Sequence, residues 1–228
     1  MRNPIFLALS AACIPLTTNA IINGGFATNS FLRGVVKVND DCTGALVGNK
    51  CVLTAHHCLA KNRLGEVMLP DFKDSVVVES TKKSEITSSF SPDYSDTRCY
   101  DMEIAVLSEC HNMGYNLTST AVKDNVAVAG WGFLNDYTLP KVLQFYQYPV
   151  QAKYSSEGIT LPVADGVSGI AFRDSGGPLF NCDGNLCSVA GVVNGKTMGS
   201  TILKTEHVFC DVLSNSAWIS ETLKTHCY

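Results

Sequence analysis

The sequence predicts an all-β protein with one helix at its C-terminal end, and three observations carry that prediction. Its apolar residues gather in short runs: Gly34 to Val38, Cys51 to Thr54, Ser75 to Val78, Ile104 to Leu107, Asn125 to Ala129, Leu143 to Tyr148, Ser188 to Val193 and Val208 to Leu213. Several of them are rich in valine, whose branched Cβ suits a pleated surface. Gly, Asn, Asp or Pro separates them, which is strand-and-turn punctuation and favours a barrel architecture over helices. Only Ser216 to Lys224 sets apolar residues (Trp218, Ile219 and Leu223) at helical spacing, as the docking stripe of a terminal helix would. The polar, serine-rich stretch from Glu79 to Ser95 reads as a surface loop.

Composition bounds the function. In 228 residues, 46% are hydrophobic and 17% charged, enough for a substantial core and unlike a disordered chain. A net charge of -4 gives no electrostatic reason to expect nucleic acid or an anionic membrane as partner. Residues 1–20 carry Arg2, an apolar run from Ile5 to Leu16 broken by Ser10 and Pro15, and a small polar stretch ending at Ala20. This pattern reads as a secretory signal peptide cleaved after Ala20, leaving residues 21–228, long enough for one large domain or two small ones, with Ile21 as the amino terminus. Its apolar core is too short to span a bilayer, so no membrane anchor is expected and the product is secreted, extracellular or periplasmic. Of ten cysteines, Cys13 lies in that segment, and in the remainder export makes disulfides the default. Cys182 and Cys187 flank Asp183-Gly184-Asn185, a hairpin-turn signal across which a bridge fits. The Cys and His spacings form no zinc pattern, and neither metal nor cofactor is expected.

The chemistry lies in two motifs. Ala55-His56-His57-Cys58 supplies imidazoles, and Arg173-Asp174-Ser175-Gly176-Gly177-Pro178 supplies a serine in a turn that two glycines permit. A serine hydroxyl is a poor nucleophile near neutral pH, so it needs an imidazole to take its proton and backbone amides to hold the resulting oxyanion. Ile21-Ile22-Asn23-Gly24, Cys42-Thr43-Gly44-Ala45-Leu46, Leu53-Thr54, Ala129-Gly130-Trp131-Gly132 and Trp218-Ile219 accompany them. In that order these pieces resemble the chymotrypsin/trypsin family over nearly the whole stretch after residue 20.

The resemblance implies two six-stranded antiparallel β-barrels, divided near residues 111–125, with the active site between them and a short C-terminal helix. It implies a serine endopeptidase that forms an acyl-enzyme, with Ser175 as nucleophile and His57 as base. Tyr100-Asp101-Met102-Glu103-Ile104-Ala105-Val106-Leu107 resembles the family's Asp-Ile-Ala-Leu-Leu segment. The register that buries Ile104 to Leu107 puts Glu103 at the aspartate position and favours it, with Asp101, on the same strand face, as the alternative. The amides of Arg173 and Ser175 take the oxyanion-hole positions, although the family has glycine where Arg173 stands, and the Arg173 side chain would attract acidic substrates. The new amino terminus at Ile21 is expected to pair with Asp174.

Gly169, Ile170, Asn194, Gly195, Lys196 and His207 fall at substrate-binding positions. They lack the acid that cleavage after Lys or Arg would need, and Lys196 and His207 suggest acceptance of an acidic side chain. Cys42 and Cys58 match the family's bridge behind the histidine. By elimination Cys99 would join Cys110 and Cys210 join Cys227, leaving Cys51 over. The expected partners are polypeptide substrates and protein inhibitors of proteases, the expected state a monomer. A second reading is a catalytically impaired homologue that binds a partner through the old cleft; Glu103, Arg173 and the altered Asn194-Gly195-Lys196 edge feed it. An esterase or lipase of another fold is disfavoured, because the Gly-x-Ser-x-Gly elbow is missing and the histidine precedes the serine.

Overall fold

The computed structural model describes residues 21, 24–59, 65–93, 99–122, 126–134, 137–149, 152–155, 158–163, 169–183, 186–198 and 205–228, with only the backbone of 195–198 and 205. The expected signal peptide and the turn residues Gly184 and Asn185 lie outside the described residues. In chain order the elements are β1 (Gly25–Phe26), β2 (Val35–Val38), β3 (Cys42–Val47), β4 (Cys51–Thr54), α1 (His56–Leu59), β5 (Glu66–Lys73), β6 (Val76–Phe90) and β7 (Glu103–Leu107). There follow β8 (Val126–Gly130), β9 (Gln144–Gln147), β10 (Lys153–Ser155), β11 (Gly158–Pro162), β12 (Pro178–Asp183), β13 (Leu186–Met198), β14 (Thr205–Asp211) and α2 (Ser216–His226).

Six of these strands close a barrel in the order β2-β3-β4-β7-β6-β5, sealed where Lys37 and Val38 of β2 pair with Met68 and Val67 of β5. Of these, β2, β3, β4 and β7 are buried on both faces, so they read as largely apolar runs. Val36, Val38, Leu46, Val52, Ala105 and Leu107 fill the barrel. The residues between them (Val35, Ala45, Leu53, Ile104 and Val106) point outward into a second cluster with Trp131, Phe180, Val192 and Ile219. Burial of this kind stabilises by about 1.5–3 kcal/mol per large side chain. Period-two alternation thus persists, with both sets of positions apolar.

The second half differs from the expected closed barrel. Among the described residues it is an eight-stranded sheet, β1-β9-β8-β12-β13-β14-β11-β10, with no pairing between its edges. One physical reason is that Gly25 and Phe26 already occupy an edge of β9, opposite Phe145 and Gln144. At the other edge β10 is three exposed residues long and pairs only with β11. Val126, Val128, Ile159, Leu161, Leu179 and Phe209 form its core, which also takes in Ile21.

The expected loop from Glu79 to Ser95 is another correction, because β6 runs on to Phe90 and pairs with both β5 and β7. Ser84 and Ile86 are its inward residues there, while Glu85 and Thr87 face outward, so a polar stretch serves as a strand whose outer face is solvated. Two cysteine pairings differ as well. Cys51 is bonded to Cys227 and Cys99 to Cys210, and Cys110 is free and exposed. Cys51 lies on the outward face of β4, so it meets the C-terminal end of α2, where His226 also stacks on Phe90 at 4.0 Å. Cys42 is bonded to Cys58, and Cys182 to Cys187. No helix among the described residues is long and apolar enough to cross a membrane.

Candidate active site

Strand β4 ends at Thr54 and the chain turns at once into α1, which presents His56 and His57 at the mouth of the barrel. Two carboxylates face them from the start of β7. Thr54 pairs with Glu103, and Asp101 lies two residues before it, on the same side of an extended chain. Each histidine takes one. His57 Nδ1 lies 2.7 Å from Asp101 Oδ2, and the His57 amide donates to Asp101 Oδ1 at 2.9 Å. His56 Nδ1 lies 2.5 Å from Oε2 of Glu103, which is only 5% exposed. The register-based preference for Glu103 as the partner of His57 is therefore not met: Asp101 holds that ring, and Glu103 is occupied by His56. A strand face specifies which acids point toward the histidines, but not how two acids divide between two neighbouring rings.

Asp101 is anchored from both sides. Met102 after it is fully buried, and Cys99 before it is bonded to Cys210 of β14, across the boundary between the two halves. A carboxylate can only accept, so His57 Nδ1 carries a proton and Nε2 keeps the basic lone pair. The hydrogen bond to Asp101 raises the His57 pKa; burial opposes this, and the aspartate's charge adds to the rise. Burial works against ionised Asp101, but hydrogen bonds from the His57 ring and amide outweigh it and hold the carboxyl below its usual range.

Ser175 comes from the second half, in the turn before β12. It lines one cavity of about 630 Å³ together with His57, Cys42, Cys58, Asp40, Asp41, Phe133, Phe172 and Arg173. Thr43 of β3 grips this turn: its amide donates to Ser175 O at 2.9 Å and its hydroxyl to Arg173 O at 3.0 Å. Gly176 has φ 82°, and a Cβ on it would come within 2.1 Å of Thr54 Oγ1 and 2.4 Å of Thr43 O, so only glycine fits. Among the described residues the amides of Arg173 and Ser175 donate to no acceptor, leaving both available to a developing oxyanion.

Asp174 between them is fully buried and accepts from the amides of Gly132 and Ala171, each at 2.7 Å. A Cβ on Gly132 would lie 2.6 Å from this carboxylate, which explains the glycine beside Trp131. Ile21 is also fully buried.

Arg173 has φ 76°, a conformation that costs a non-glycine residue about 1–2 kcal/mol. Its guanidinium donates to Asp40 O at 3.2 Å, meets the Asp41 carboxylate at 3.2 Å and lies 4.8 Å from the centre of the Phe133 ring. The expected attraction for acidic substrates is therefore met from within the protein, by Asp41.

The substrate-binding candidates divide. Gly169, Ile170 and His207 come together: a Cβ on Gly169 would lie 2.4 Å from His207 Cε1 and 2.9 Å from the Tyr148 hydroxyl. His207 is 1% exposed, with Nδ1 at 2.5 Å from Tyr148 Oη, and Ile170 is equally buried. Asn194 donates to Cys99 Sγ at 3.7 Å. Gly195 and Lys196 continue β13 opposite Val208 and His207, and the Lys196 side chain is not among those the structure describes. The one close cluster of potential metal ligands among the described residues is Cys42, His57 and Cys58, whose two sulfurs are bonded to each other.

A β-barrel packed against a second antiparallel sheet, with a carboxylate-bound imidazole and a serine from opposite halves lining one cavity, is an arrangement in which an imidazole could activate a serine hydroxyl. The family model described as Trypsin matches residues 22–219, and the chain belongs to the chymotrypsin/trypsin family, whose members are serine peptidases acting on polypeptides.

Proposed function

We propose that the protein is a secreted serine endopeptidase. Ser175 attacks the scissile carbonyl, Nε2 of His57 takes its proton and returns it to the leaving amine, and Asp101 orients and stabilises the imidazolium. The amides of Arg173 and Ser175 bind the oxyanion, and water then hydrolyses the acyl-enzyme. The observation that carries this reading is the shared cavity: the carboxylate-bound His57 and Ser175, 118 positions apart in the chain, line the same space. The site needs no metal or cofactor for these steps.

Export follows from the pattern of residues 1–20, and cleavage after Ala20 would free the Ile21 ammonium. The buried Asp174 carboxylate is its counter-charge in this reading. The pocket floor of Gly169, Ile170 and His207 has no carboxylate for Lys or Arg, and the His207 ring fills the space against Gly169. Substrates with short side chains other than Lys or Arg before the scissile bond are therefore favoured. The test is digestion of an unfolded polypeptide followed by mass spectrometry. Purified protein starting at Ile21 is expected to cut it, and Ser175→Ala to lose the activity. Cleavage that persists in Ser175→Ala, or occurs only after Lys and Arg, would contradict the reading.

A further inference from the structure

We infer that Asp41 is a positioning residue which, through the Arg173 guanidinium, holds the oxyanion-binding peptide in place; the inference rests on the peptidase reading above. The donor at this site is the Arg173 N–H, carried by the peptide between Phe172 and Arg173. That peptide is fixed at its carbonyl end, where Phe172 O accepts from the Phe133 amide at 2.9 Å. At its other end Arg173 adopts φ 76°, a left-handed conformation that glycine enters freely and a residue with a Cβ does not. Relaxation of this φ would rotate the peptide and swing the N–H away from the cavity.

The side chain opposes that relaxation. The guanidinium lies over the ring of Phe133, whose own amide pins the peptide, and reaches across the cleft to Asp40 O and the Asp41 carboxylate on the β2–β3 turn. Asp41, Arg173 and Phe133 thus form one chain of contacts between the two halves, all three lining the cavity of His57 and Ser175. A glycine at 173 would make this brace unnecessary; an arginine there requires it. Asp41 is 76% exposed, so the link is within reach of salt, which weakens exposed ion pairs.

An oxyanion donor acts in the transition state, so the effect belongs in kcat. Removing one such donor altogether costs about 100- to 1,000-fold. Loosening it by Asp41→Ala is expected to lower kcat about 10-fold with KM within about 2-fold, and Asp41→Glu is expected to recover most of the loss. The decisive comparison repeats Asp41→Ala on an Arg173→Gly background, where kcat is expected to change by less than about 2-fold relative to that background. At about 1 M NaCl the wild type should approach the Asp41→Ala value, while the Arg173→Gly protein should lack this salt sensitivity. Equal losses on both backgrounds, or a raised KM with unchanged kcat, would overturn the inference and make Asp41 a substrate contact. A wild type without Ser175-dependent turnover would overturn the peptidase reading itself, and the catalytic role of the brace with it.

Discussion

Asp101→Asn is expected to lower kcat by about 1,000- to 10,000-fold with a small change in KM, because the amide supports the wrong tautomer and leaves the imidazolium unpaired. The carboxylate takes two bonds from one residue, the His57 ring at 2.7 Å and the His57 amide at 2.9 Å, so it fixes both the orientation of the ring and its protonated nitrogen. Glu103→Gln is expected to cost less than about 10-fold. Its partner is His56, which is not among the residues lining the cavity, so the substitution reaches the reaction only through packing. Steady-state kinetics of the two variants on one peptide substrate separate the roles. A larger loss for Glu103→Gln, or equal losses, would return the acid's role to Glu103.

The second large effect is expected for Asp174→Ala. This carboxylate is fully buried and accepts two amides at 2.7 Å; in the processed protein it also faces the charge of the Ile21 amino group under the reading above. Its removal leaves the Gly132 and Ala171 amides unsatisfied, at about 1–3 kcal/mol each, and breaking a buried ion pair costs about 3–5 kcal/mol. The segment from Ala171 to Gly176 carries the nucleophile and both oxyanion amides, so it is the first part of the chain to rearrange. The expected result is a fall in kcat/KM of at least about 100-fold, together with a lower Tm. A variant with the wild-type rate would show that Asp174 does not shape the site.

Much of this was readable from local pattern, and what was not has a common physical cause. Strand β4 and the body of β7 follow from short apolar runs, and α2 from three apolar residues at helical spacing. The disulfide closed over 5 residues follows from a hairpin-turn signal and the one over 16 from the family resemblance, whereas those joining Cys51 to Cys227 and Cys99 to Cys210 span 176 and 111 residues. Such pairings depend on which strand face meets which helix end, information that no local pattern contains. The extension of β6 was hidden because its polar residues are those of a solvated face. Likewise, two acids on one strand face and two adjacent histidines admit two pairings. The longer reach of Glu103 to His56 and the Cys99 anchor before Asp101 select between them only in three dimensions.

The central claim is that Ser175 reacts because His57, held by Asp101, takes its proton. The most direct measurement is the rate of phosphonylation of Ser175 by a fluorophosphonate, followed by mass spectrometry across pH. Only neutral His57 can act as base, so the rate must fall as pH drops through the His57 pKa, which the Asp101 hydrogen bond raises above the ordinary 6.5. The account predicts modification at Ser175 with an inflection above that value, which moves downward in Asp101→Asn. A rate independent of pH, an inflection that Asp101→Asn leaves in place, or no reaction at Ser175 would contradict it.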